Sequence, residues 1–227
     1  MILRHRLAAR AEEIVGGLTQ TDYQHVDNID PGAGVYDCDC SGFVGLVLSH
    51  VAEACYREIT PEPGHARPRA FVYYDFFAAL SPGSSRGWSR VDRLTDASRG
   101  DVIAWRFPTI EIGKDTGPVL IVAKAAVIDP SDAYDIRVYD SSATPHFLDT
   151  RGDGAGQFPT GLGSEIIKFR VDDDGRPISF LFAPPQQRSV PYRSRSDGRH
   201  QRQIDAFERK QIFRSKPYGQ ELGPTES

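Results

Sequence analysis

Apolar positions along this chain change their rhythm near residue 100. Before it they recur at spacings of three and four; after it they run in short blocks separated by Gly, Pro, Asp and Ser. Residues 4–18 carry Leu7, Ala11, Ile14, Val15 and Leu18 on one side, which predicts an amphipathic helix ending near Gly16-Gly17. Residues 19–36 are polar and glycine-bearing and predict a loop. From Ser41 the series Phe43, Val44, Val47, Leu48, Val51, Ala52, Cys55 predicts a second helix that stops near Thr60-Pro61. "PEPGHARPRA" is irregular, and "FVYYDFFAAL" predicts a short apolar helix stopped by Ser81-Pro82-Gly83. Beyond residue 100, "DVIAWRF", "PVLIVAKAAVI", "YDIRVYDSS", "SEIIKFRVD" and "ISFLFA" predict strands. Helices first and strands after is the α+β order, with N-terminal helices packed on a mainly antiparallel sheet of about five strands. The chain shows no internal repeat.

Composition changes the picture at one end only. The chain has 227 residues, 39% apolar and 26% charged, which suits a globular domain with an ordinary core. Residues 186–227 hold nine Lys/Arg against five Asp/Glu, about +4. With a total of −4 the remaining body is then −8. This divides the chain into a domain at 1–185 and a basic polar extension at 186–227. Such an extension is expected to be disordered or loosely docked, with a short helix around Ile204, Phe207, Ile212 and Phe213. A net negative body gives no footprint for nucleic acid. No stretch approaches the roughly 20 apolar residues of a membrane span, and the charged N-terminus has no apolar signal-peptide core.

The cysteines carry the chemistry. There are three, and Cys38 and Cys40 are too close to bridge easily, so free thiols are expected. Cys40 falls in the first turn of the predicted second helix, with Asp39 as N-cap. Unpaired N–H groups and the positive dipole end favour a thiolate there, whereas Asp37 and Asp39 oppose one. Gly42 lets another segment approach the helix start closely. Cys55 falls on the apolar side and is expected in the core. No metal site is expected, since Cys-x-Cys without a second Cys/His pair lacks ligands at the usual spacing, and no cofactor is implied.

"Asp39-Cys40-Ser41-Gly42-Phe43-Val44" resembles the nucleophile motif of the NlpC-type cell-wall cysteine peptidases, which have a papain-like fold. "Arg99-Gly100-Asp101-Val102-Ile103-Ala104-Trp105" resembles that family's Gly-Asp turn and first core strand. "Asp115-Thr116-Gly117-Pro118-Val119-Leu120-Ile121-Val122" resembles the next strand, and "Val138-Tyr139-Asp140-Ser141-Ser142" the one after. The four landmarks keep the family's order across residues 37–170. The resemblance implies a catalytic triad with Cys40 as nucleophile and Asp140 in the third position, orienting the base. It also implies a peptide or peptidoglycan-fragment substrate and a place in the cell envelope or outside the cell. Three free thiols suit a reducing interior instead.

One landmark departs from the pattern. The family's histidine follows the Gly that opens the second strand, and here that position is Pro118. Proline cannot take a proton from a thiol. His50 lies about 15 Å along the same helix and cannot serve. His5 and His25 lie in the N-terminal segment and His200 in the extension. His146, close after Asp140 and near Asp149, is the expected replacement base, with His65 second. Asp39 and Ser41, beside the nucleophile, and Arg67 and Arg69, which can hold a carboxylate, are the expected substrate contacts. Two functions follow: a thiol hydrolase cutting peptide or amide bonds, or a family member that binds a cell-wall fragment or protein partner without turnover.

Overall fold

The computed structural model describes residues 2–81, 84–85, 87–107, 110, 115–129, 133–144, 146–151, 160–181 and 213–217. The α+β order holds. Helices α1 (Leu3–Gly16), α2 (Cys40–Val51), α3 (Glu53–Arg57) and α4 (Ala70–Ala78) come before the main sheet. That sheet contains β4 (Ser84–Ser85), β5 (Trp88–Val91), β6 (Val102–Ala104), β7 (Val119–Val122), β8 (Val127–Ile128), β9 (Tyr134–Ser142), β10 (Gly161–Val171), β11 (Pro177–Leu181) and β12 (Phe213–Pro217). The order is β11-β10-β9-β7-β6-β12-β5-β4, with β8 beside β9, and every pairing is antiparallel. The five expected strands are its contiguous run β6, β7, β9, β10 and β11.

Three differences from the sequence reading have physical causes. The 19–36 segment is not all loop. It holds β1 (Gln20–Asp22), β2 (Asn28–Asp30) and β3 (Val35–Asp37), a small sheet in which β3 pairs parallel with β1 and antiparallel with β2. Three-residue strands are too short to show a period. The single helix expected to run to Thr60 is two, broken at Ala52 (φ −142°, ψ 46°). Just before the break, the Ser49 hydroxyl and the His50 ring turn back on the Leu46 carbonyl at 2.9 Å each, competing with the helix's own ladder. The extension is not wholly apart from the domain, because β12 inserts between β5 and β6 and pairs with both. The helix expected around Ile204–Ile212 lies outside the described residues, and Phe213 begins β12.

The sheet has a core on each face, dictated by strand alternation. On one face Val102, Ala104, Val119, Ile121, Tyr139 and Leu162 pack against Leu7 of α1, Phe43, Val44 and Val47 of α2, and Tyr73 and Phe77 of α4. On the other, Ile103, Trp105, Leu120, Val122, Ile136, Val138, Ile167 and Phe169 form a second cluster. Phe180 of β11 stacks on Trp105 there, with ring centroids 4.4 Å apart. Helix α2 is buried on nearly every side. Phe43, Val44, Val47 and Leu48 are fully buried, each contributing about 1.5–3 kcal/mol of transfer free energy.

The Gly-Asp turn before β6 locks this sheet to α1. Gly100 sits at φ +87°, and a Cβ there would lie 1.8 Å from the Arg4 carbonyl oxygen. Gly100→Ala therefore has to strain the backbone and push α1 off the sheet, and is expected to cost about 3 kcal/mol or more. A fall in the thermal midpoint of several degrees, read by circular dichroism, checks this; an unchanged midpoint refutes it.

Candidate active site

The site begins with a helix N-terminus built as the sequence predicts. Asp39 is extended (φ −84°, ψ 178°), and one of its carboxylate oxygens accepts from the Gly42 N–H and the Ser41 hydroxyl, both at 2.8 Å. Cys40 follows as the first helical residue. It is 6% exposed and packs in the α2-side core. Its thiol donates weakly to the Gly117 carbonyl at 3.8 Å, while the Val119 N–H donates to the sulfur. The opening of β7, at Gly117-Pro118-Val119, thus meets the thiol through backbone groups.

Burial costs the acids around this helix start, and Arg67 meets that cost. Its guanidinium donates to both carboxylate oxygens of Asp27 at 2.9 Å, reaches Asp39 at 3.1 Å and donates to the Ser41 hydroxyl at 2.5 Å. Gly42 is what lets it in, since a Cβ there would lie 2.6 Å from Asp27 and 3.1 Å from Arg67. Burial alone would raise the Asp39 pKa, but Arg67 and the Gly42 N–H hold it below the usual carboxylate range. Arg67 is thereby spent on the protein's own acids rather than left for a ligand carboxylate. Arg69 lines the cleft but pairs with Glu62 and lies over the Phe71 ring at 5.0 Å.

Cys40 borders a narrow cleft walled by Asp39, Ser41, Asp115, Thr116, Tyr23 and His25 among others. Its electrostatics oppose a resting thiolate. Burial first, then Asp39, push the Cys40 thiol well above the ordinary cysteine value, and burial does the same to Cys38. Cys55 is buried in the core as expected.

The expected triad does not assemble as one unit. Asp140 shares its face of β9 with Ile136 and Val138, in the cluster opposite α2, although its charge still acts on the Cys40 thiol and helps to raise its pKa. His146 joins Asp140 there (Nε2–Oδ2 3.9 Å) and does not line the Cys40 cleft. Around them lies a buried charge cluster. The fully buried Arg151 contacts Asp140 at 3.3 Å, Glu165 at 3.0 Å and Asp149 at 2.9 Å. Burial and the neighbouring Asp140 raise Glu165 far above the carboxylate range, and its carboxyl hydrogen-bonds Asp140. Asp140, His146 and Glu165 have the residue types of a metal-binding set, their ligand atoms lying within 4.8 Å of one another. Arg151 already supplies a positive charge to two of them. His146 and Asp140 are thus partners of each other, as expected, but in a buried ionic cluster.

Sequence reasoning passed over His25. It sits between β1 and β2, half exposed, with Nδ1 3.2 Å from Asp39 and Nε2 3.5 Å from Asp115. The Tyr23 hydroxyl donates to the same Asp115 oxygen at 2.7 Å, and the Tyr23 ring meets His25 edge-on. The available signal was weak: an aromatic, a histidine and an aspartate alternating at Tyr23, His25 and Asp27 in a polar segment before the cysteine motif. His65, the second expected base, lies near Glu62 at 3.6 Å and also does not line the cleft.

Two stability predictions follow from these buried charges. Arg67→Ala removes the cation shared by Asp27 and the buried Asp39 and is expected to cost about 3 kcal/mol at pH 7. Because Asp39 is held low, its stabilisation is present above its unfolded value near 4 and is lost as pH falls through the lower folded value. The difference between wild type and Arg67→Ala in urea denaturation should therefore shrink below pH 4. Glu165 is raised, so its stabilisation is full below about 4.5 and is lost as pH rises toward the folded value. Glu165→Gln, which keeps a neutral hydrogen-bonding group, is expected to stay within about 1 kcal/mol of wild type at pH 7. Glu165→Ala opens a cavity and is expected to cost about 2–4 kcal/mol. Equal losses in the two Glu165 variants would show that the carboxyl is not held neutral.

No protein-family model matches the chain, and no solved structure is significantly similar to it. A protein of Acanthamoeba polyphaga mimivirus, described only as uncharacterized, is similar to it: 28% identical over 186 residues, covering 72% of this chain and 79% of the viral protein.

Proposed function

We propose that the chain is a thiol hydrolase with a papain-like arrangement, cutting peptide or amide bonds, with the stem peptides of peptidoglycan as the substrate class implied by its resemblance to NlpC-type peptidases. The observation that carries this reading is the placement of Cys40. It is the first residue of a capped, buried helix, it lines a small cleft, and a histidine held by carboxylates lines the same cleft. A rigid nucleophile beside helix-start N–H groups is the geometry of covalent acyl transfer. In the reaction the sulfur gives up its proton and attacks the carbonyl carbon, and the C–N bond breaks as the amine takes a proton. Water then cleaves the thioester, releasing the acid and restoring the thiol.

A second reading, ligand binding without turnover, is favoured by Pro118 at the family's base position and by the upward push on the Cys40 thiol. The two separate in one experiment. Wild type and Cys40→Ser are incubated with soluble stem peptides, and fragments are measured by mass spectrometry beside binding by calorimetry. The hydrolase reading expects cleavage by wild type and a loss on the order of a thousandfold or more in Cys40→Ser, with binding retained. Binding by both proteins with cleavage by neither establishes the second reading.

A further inference from the structure

A thiol hydrolase needs a proton acceptor on the cleft side of the sheet, and three sequence positions fail to give one. Pro118 has no basic atom, His146 belongs to the opposite face, and His65 is not in the cleft wall. His25 is the histidine that lines the cleft with Cys40. Its two nitrogens are not equivalent. Nδ1 lies within hydrogen-bond distance of Asp39 at 3.2 Å, and a carboxylate on Nδ1 fixes the tautomer in which Nε2 accepts a proton. Nε2 lies 3.5 Å from Asp115, beyond a well-formed hydrogen bond, and the Asp115 oxygen it faces already accepts from Tyr23 at 2.7 Å. Nε2 is thus the nitrogen left to exchange a proton, on a half-exposed ring in the same cleft wall as Cys40, whose resting thiol donates to the Gly117 carbonyl and is joined to the ring by no hydrogen bond.

We propose that His25 is the general base of the Cys40 cleft, oriented by Asp39, taking over from a segment before the nucleophile the task that Pro118 cannot perform. This rests on the thiol-hydrolase reading. Nε2 takes the Sγ proton as the S–C bond forms, and the same proton passes to the leaving amine as the C–N bond breaks, so the imidazole ends neutral. Asp39 then caps α2 and meets Ser41 and Arg67 with one oxygen while holding His25 with the other. The charged and titratable groups around the ring are Asp39 and Ser41 from the helix start, Asp115 from the approach to β7, Tyr23 from its own segment, Arg69 across the cleft, and Arg67 at its backbone carbonyl.

The test needs no substrate. The rate of Cys40 alkylation by iodoacetamide is followed from pH 5 to 10 by peptide mass spectrometry, which separates it from Cys38 and Cys55. Wild type, His25→Ala and His25→Gln are compared, and equal thermal midpoints establish that the variants are folded. The proposal expects Cys40 alkylation at pH 7 to fall at least tenfold in both variants, whose rates should rise only in the range of an unassisted thiol. Wild-type behaviour retained in both variants, within about twofold, overturns His25 as base and leaves the hydrolase reading standing with another proton acceptor. A wild-type Cys40 that is unreactive until well above pH 8.5 overturns both.

Discussion

The structure depends on keeping two carboxylates out of water at the start of α2. Asp37 and Asp39 are each more than 90% buried, beside two buried thiols, and burial of this kind is tolerated only with compensation. Asp37 receives the side-chain amides of Gln20 and Asn28 at 2.8 Å each. Asp39 receives Gly42, Ser41 and Arg67. The donors come from β1, from β2, from the helix itself and from the irregular segment at residue 67. Satisfying this one helix start therefore ties the small β1–β3 sheet, α2 and the 61–69 segment into one body. The cleft is the space left where these pieces meet the beginning of β7.

A second buried charge site does the same on the other face. Arg151 reaches Asp140 on β9, Glu165 on β10 and Asp149 in its own loop, while its guanidinium also donates to the Gly161 carbonyl at 2.7 Å. Gly163 makes room for it, since a Cβ there would lie 2.8 Å from the Arg151 side chain. The loop carrying His146 is thereby fastened to the β9–β10 pair. Asp140 is buried for this reason, and a carboxylate on an apolar strand face, which the resemblance to NlpC-type peptidases explains as catalytic, is accounted for as the partner of a buried arginine.

Much of this was legible in the sequence, and what was not has definite causes. The capped start of α2 could be read because Asp39, Ser41, Gly42 and the apolar run act locally, within one turn. The five central strands could be read because each is a block of β-branched and apolar residues between turn signals. Alternation sets Ile136, Val138 and Asp140 on one face of β9. What alternation cannot say is which face turns toward α2, because that depends on the hand and curl of the whole sheet. The resemblance put Asp140, and its neighbour His146, with Cys40; the structure places Asp140 on the face opposite α2, with His146 beside it. His25 was illegible for a different reason. Its position is set by a parallel pairing of β1 with β3 fifteen residues apart, between strands too short to show a pattern.

The balance at Cys40 decides what kind of chemistry this cleft can support. A helix start favours an anion by about 0.3–1 kcal/mol, reaching about 2 kcal/mol in well-placed, partly buried cases. Burial opposes the anion more strongly, because a fully buried ionisable group can shift by up to 3–5 pKa units, at about 1.4 kcal/mol each. Asp39 adds like-charge repulsion beside the sulfur. Burial wins, so the resting thiol keeps its proton, unlike a cysteine held as a thiolate by a neighbouring imidazolium. Any turnover here must remove that proton during the attack itself. That requirement places the burden on geometry rather than on resting charge, and under the proposed hydrolase reading turnover would rest on the orientation of a cleft histidine by Asp39.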